Sequence, residues 1–160
     1  MKHLIIRITY YLLGGIILSL GIELSVLSHL GSGAYDALNY NLSKLLHISL
    51  GQAMAISVIL LFIITMVLKP RWKFFIGLLL SLYMSFFIDL FDSILVAPES
   101  IYFRIIYLLL GIIGIGLGVA LIIRSDFTPN PLDNLMVLVA EKLKIAIHWS
   151  KILLESLFAI

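Results

Sequence analysis

The chain is a series of long apolar runs separated by short charged or turn-forming stretches. The first run extends from about Leu4 to Ser28, the second from about Gln52 to Leu68, the third from Lys73 to Val96 and the fourth from Ile101 to Ile123. A fifth begins near Ile145 and is still running at Ile160. A helix needs roughly 20 residues to cross the hydrocarbon core, and about 17 suffice where the bilayer thins. The first four runs meet that length, the second only just. The fifth falls short, so the sequence is expected to be one that lacks a last transmembrane helix.

Two stretches between the runs follow a different pattern. Gly31-Ser32-Gly33-Ala34-Tyr35-Asp36 leads into Leu38, Leu42, Leu45 and Leu46 at helical spacing. Thr128-Pro129-Asn130-Pro131-Leu132-Asp133 leads into Leu135, Val139 and Leu143. Each predicts a short amphipathic helix or a re-entrant segment.

Composition agrees with lipid as the solvent. Apolar residues make up 62% of the chain and charged residues 12%, against about half and a quarter in a soluble domain. The formal charge of +2 is too small to suggest a nucleic-acid partner, and without cysteine there is no disulfide framework or thiolate site. With the N-terminus in the cytoplasm, Lys2, Arg7, Lys69, Arg71, Lys73, Arg124, Lys142, Lys144 and Lys151 fall at cytoplasmic ends. Lys44 and Arg104 alone fall outside. That is the positive-inside distribution, and the expected location is a bacterial cytoplasmic membrane.

Moved along itself by 97 positions, the chain aligns with its own second half. Arg7, Ile8, Tyr10, Leu12, Leu13, Gly14 and Ile16 meet Arg104, Ile105, Tyr107, Leu109, Leu110, Gly111 and Ile113. Gly21 meets Gly118, Ser28 meets Ser125 and Asp36 meets Asp133. Shared apolar composition does not explain Arg, Tyr and Asp falling in one register. A repeat unit of three spans is odd-numbered, so its second copy enters the membrane upside down, as in many secondary transporters. The fold expected is therefore an all-α polytopic transmembrane helical bundle forming a single transmembrane domain over 1–160. Its first repeat covers about 4–96 and its second, incomplete, about 101–160, with short helices after spans one and four. A full pair of repeats would need roughly 190–210 residues and six spans.

The loop Leu30-Gly31-Ser32-Gly33-Ala34-Tyr35-Asp36, the element Ser49-Leu50-Gly51, the segment Pro131-Leu132-Asp133-Asn134-Leu135-Met136 and the acidic Glu155 resemble the YczE/YyaS/YitT family of bacterial integral membrane proteins, in its YczE-like branch. Ala34 stands where that family usually has proline, Leu132 where it often has a basic residue, and the family's final Gly-rich span has no counterpart. The resemblance implies a multi-pass membrane location and a helical architecture. It implies no chemistry.

Candidate functional residues come from carboxylates within or beside the spans. Asp36 and Asp133 would be third helical residues if Gly33 and Asn130 are N-caps. There they complement the helix dipole, or serve as symmetric polar gates at the two mouths of a path. Ser81, Ser85, Asp89 and Asp92 share one helical face. Asp89 lies about 24 Å along a core of about 30 Å, either reaching water at a helix end or lining a cavity. Glu23, one turn beyond Ser19, either snorkels to the surface, pairs with a base across the bundle or, buried without a partner, is protonated, as a proton-coupled carrier would use. Lys151 and Glu155 are spaced for an internal ion pair. His148 shares their face, but the three make no metal site. Gly14, Gly21 and Ser25 in the first span, and Gly111, Gly114 and Gly118 in the fourth, are expected helix contacts.

Catalytic motifs are missing: no Gly-x-Ser-x-Gly, no His-Glu-x-x-His, no phosphate-binding loop. The expected activity is that of a small-solute carrier or permease with a polar path where the repeats meet, through Glu23, Asp36, Asp89 and Asp133. It requires no cofactor, and its partners would be the lipid bilayer and a small solute or ion. The alternative is an accessory protein that assists another membrane system, as a homo-oligomer or beside a membrane-protein partner.

Overall fold

A computed structural model describes residues 2–128 and 130–158. Pro129 and the last two positions of the expected fifth span, 159–160, lie outside the described residues, as does Met1. The described residues form seven helices and no strand: α1 (Lys2–Leu27), α2 (Ala34–Leu46), α3 (Leu50–Leu68), α4 (Phe74–Ile94), α5 (Ile101–Arg124), α6 (Pro131–Leu143) and α7 (Ile147–Phe158). Four of them, α1, α3, α4 and α5, are long and apolar enough to cross a membrane. Each matches an expected span to within about two residues, the ordinary uncertainty of helix ends. As described, α7 is too short to span.

Local chemistry fixes the helix ends. Ser49 and Gln52 form a reciprocal capping box at the start of α3. Asn130 accepts from the Asp133 N–H, and Pro131 opens α6, where its missing N–H costs nothing. Gly33 is the N-cap of α2 without a side-chain bond. Helices α2 and α6 both end on left-handed residues, His47 and Lys144.

These features recur at the offset seen in the sequence. The last residues of α1 and α5, both ends of α2 and α6, and the first residues of α3 and α7 are all 97 positions apart. So are the left-handed residues: His29 matches Asp126 and His47 matches Lys144.

The most extensive helix contact is the crossing of α1 and α5. Gly14 lies against Gly118 and Ile122, and Gly21 against Gly111, Gly114 and Ile115. Numbers rise along one helix as they fall along the other, so the two run antiparallel. A methyl group added at Gly21 would sit 2.6 Å from the Ile115 backbone nitrogen, so only glycine allows this approach. The pairing is reciprocal: Gly14 meets the counterpart of Gly21, and Gly21 meets the counterpart of Gly14.

On its other flank α1 packs on α4, where Ser19 donates to the Met84 carbonyl at 3.1 Å. Helix α4 packs in turn on α3. Buried Tyr11, Leu18, Ile22, Met54, Leu80, Met84, Ile88 and Ile122 form the main core. The outward surfaces remain apolar, with Ile105, Leu109, Leu110, Ile112 and Ile113 of α5 all exposed. In water that surface would aggregate; in lipid it is the expected exterior.

Helices α2 and α6 are half-length and lie along α3. The Ser57 hydroxyl donates to Asn39 of α2, seven residues into α3 and so about 10 Å from its start. Helix α6 covers the later part of α3: Leu135 packs with Leu61 and Leu138 with Phe62. Beyond them Glu141 pairs with Lys69 at 2.6 Å at the end of α3. The two half-helices therefore divide the length of α3 between them, each with its N-terminus toward the middle of the bundle.

Candidate functional site

An open cavity of about 370 Å³ lies where those N-termini converge. Gly33 to Asp36 of α2 and Asn130, Leu132 and Asp133 of α6 line it, together with Lys151, Leu154, Glu155 and Phe158 of α7. Its walls are Leu18 and Ile22 of α1, Met54 and Val58 of α3, Met84 and Ile88 of α4, and Ile115 and Val119 of α5. Ser81 and Ser85 add hydroxyls from α4, but each donates to its own helix, to Gly77 and Ser81 carbonyls. An apolar chamber with a few converging polar groups is the usual form of a small-molecule site.

The sequence left Asp36 and Asp133 two roles, complements of the helix dipole or gates at two separate mouths. The structure instead brings both to one cavity, because α2 and α6 start deep in the bundle and run outward in opposite directions along α3. The N-caps are the residues expected, Gly33 and Asn130. Burial pushes the Asp36 carboxyl up to about 6, opposed only by a hydrogen bond from the Gly33 N–H. Asp133 is also pushed up by burial, but the Lys151 ammonium pulls the other way. Lys151 further pairs with Glu155 at 3.6 Å, one turn on, as its spacing suggested. Among the described residues the cavity thus holds three carboxyl groups against one ammonium, and Asp36 is the one without a cationic neighbour.

Glu23 and Asp89 do not line this cavity. Glu23 neither snorkels nor pairs with a base: it is 1% exposed, and its electrostatic neighbours are Asp92 and Asp89. Asp89 is neither a free helix end nor a cavity wall. Its Oδ1 accepts the Gly51 N–H at 2.7 Å and its Oδ2 the Ser49 hydroxyl at 2.8 Å. It therefore anchors the N-terminus of α3 to α4, where a carboxylate meets free N–H groups and the positive end of the dipole. Gly51 is required there, since a β-carbon would collide with the Ser85 carbonyl and the Asp89 carboxyl.

Lys151 is the cavity residue that sequence reasoning placed only in an ion pair. The signal for more was available, since a lysine inside an apolar run commonly faces the bundle interior. The Met and Leu walls had no such signal; they are indistinguishable from core until the helices are assembled.

A family model described as a family of unknown function, DUF6198, matches residues 5–160. The chain belongs to DUF6198. Two Bacillus subtilis (strain 168) proteins support the assignment. "Uncharacterized protein YyaS" is 31% identical over 156 residues, covering 94% of this chain and 77% of that protein. "Uncharacterized membrane protein YczE" is 32% identical over 149 residues, covering 92% and 69%. An "Uncharacterized protein" of Haemophilus influenzae is 28% identical over 134 residues, covering 82% and 60%. No solved structure matches. The resemblance to the YczE/YyaS group seen in the sequence is thus confirmed, and this DUF6198 chain is a membrane protein with several apolar helices.

Proposed function

We propose that this DUF6198 protein is a small-solute carrier of the bacterial cytoplasmic membrane, with its N-terminus inside and its substrate held in the central cavity. The observation that carries this reading is the meeting of two half-helix N-termini, with Asp36 and Asp133, in one chamber. Half-helices ending at a central site are a recurring way to present polar groups inside a bilayer, because the backbone there lines a cavity rather than lipid. The 97-residue recurrence of helix ends and left-handed turns, together with the antiparallel reciprocal crossing of α1 and α5, supports an inverted repeat. Two structurally equivalent halves facing a common site are suited to rocking about it. Asp36 and Asp133 would be the substrate-facing acids, and Lys151 would tune Asp133.

The test is flux in proteoliposomes made from the full protein, with radiolabelled small organic cations, anions and neutral solutes, each with and without a pH gradient. Uptake of at least one probe that Asp36→Asn abolishes, with helicity unchanged by circular dichroism, supports the reading. Well-folded protein that moves none of them overturns it.

A second reading, an accessory protein of another membrane system, has one observation in its favour. Only 17% of the apolar window of α5 is buried, against 39–44% in the other three spans. A partner helix would find a ready face there, and stoichiometric co-purification with a membrane protein would favour this reading.

A further inference from the structure

Glu23 is among the largest fully buried side chains of the bundle. Its Oε2 is a buried oxygen that meets no hydrogen-bond donor. On α4, Asp92 comes within hydrogen-bonding reach of the Glu23 carboxyl, with Asp89 next to it. Asp89 is already engaged by Gly51 and Ser49. The cations at this end of the bundle are committed elsewhere. Arg104 of α5 donates to the Pro98 carbonyl at 2.9 Å, and Lys44 of α2 lies over the Tyr40 ring. His29, in the turn after α1, packs edge-on to the same ring. No helix packed on α1 therefore brings Glu23 a compensating charge among the described residues.

Two ionised carboxylates in this position would repel each other across a low-dielectric gap and share no hydrogen. One added proton changes that. It turns one carboxyl into a donor for the other, satisfies an orphaned oxygen and halves the charge, as in paired acids that hold a single proton.

We infer that Glu23 and Asp92 form a proton-binding site, a carboxyl pair that takes one proton between them where α1 and α4 end. The balance is simple: H⁺ arrives from water and forms one O–H bond, the dianion becomes a monoanion, and no other bond changes. Asp92 is exposed and is the point of exchange; Glu23 holds the proton in the interior. The pair stands outside the central cavity, so it is a second locus. Its use as a coupling ion rests on the carrier reading; the binding itself does not.

The experiment uses the full protein in lipid nanodiscs and needs no flux. Infrared spectroscopy with isotope-labelled glutamate should show a protonated-carboxyl carbonyl band at pH 7 that Glu23→Gln removes. A hydrophobic carbodiimide, which takes the proton of a protonated acid on nitrogen and is attacked at carbon by the carboxylate, should modify Glu23 but spare Glu155, which is paired with Lys151. Asp92→Asn, at an exposed position, replaces the proton-sharing acid with an amide donor and should cut the modification of Glu23 at pH 7 roughly threefold or more. An ionised Glu23 in the wild-type spectrum at pH 7 overturns the proposal, whatever the variants do. Modification that Asp92→Asn leaves unchanged overturns the pairing. A protein that binds the proton but carries no solute would overturn the carrier reading alone.

Discussion

Substituting Gly21 by alanine probes the α1–α5 crossing, the most extensive helix contact of the bundle. The added methyl would lie 2.6 Å from the Ile115 nitrogen, 2.9 Å from the Gly111 oxygen and 2.9 Å from the Gly114 carbonyl carbon. Carbon contacts settle at about 3.5–4.0 Å, so α1 and α5 must separate locally by about 1 Å. All three obstacles are backbone, and no flexible side chain can turn aside. Overpacking of this kind costs about 1–3 kcal/mol, and the rigid surroundings place Gly21 at the upper end. Alanine recovers about 1 kcal/mol of helix propensity. The net loss is about 2 kcal/mol, roughly a thirtyfold fall in the ratio of folded to unfolded protein. Gly116 is the internal control, since a methyl there meets nothing within 4 Å; its alanine variant should be neutral or slightly more stable. Reversible unfolding in mixed micelles, followed by circular dichroism, measures both. Equal stabilities for Gly21→Ala and Gly116→Ala would refute the tight-crossing argument.

Three further outcomes follow from the same geometry. Because burial raises the folded-state value of Asp36, its neutral form is the better tolerated one, and stability should fall as pH rises from about 4 through about 6; Asp36→Asn should flatten that part of a stability–pH curve. Asp89→Ala leaves the Gly51 N–H and the Ser49 hydroxyl without their acceptor and should cost about 1–3 kcal/mol in the same unfolding assay, with faster hydrogen exchange confined to the first turn of α3. The chain has no cysteine, so single cysteines report sidedness cleanly: Glu99→Cys in intact cells should react with an impermeant maleimide, and Arg71→Cys only after permeabilisation. The opposite pattern would reverse the proposed orientation.

Spans were legible because bilayer thickness dictates run length, and a stretch such as 101–123 carries a single charge, Arg104, in a length that matches the hydrocarbon core. The starts of α2 and α6 were legible too, since Gly33 and Asn130 followed three residues later by aspartate have an N-terminal signature. The glycine stripes marked helix contacts on the first and fourth spans, but not that the two stripes meet each other. What stayed hidden was depth. Nothing local in Asp36 or Asp133 says whether its half-helix starts at the membrane surface or at the centre; that follows from Ser57 meeting Asn39 and Lys69 meeting Glu141 along the shared helix α3. Glu23 and Asp89 were legible as unusual residues but not by role, because both roles depend on helix α4 packing beside α1 and α3.

If the two halves are the proposed inverted repeat, the paired glycine crossings bear on origin as well as rigidity. A surface that docks head-to-tail on a near-copy of itself is one that two separate, identical three-helix chains would also use, as any twofold dimer does. The stretch joining α4 to α5 then does not create the partnership. On the proposed inverted repeat, it would fix the count at one and one and set each half beside an overturned partner.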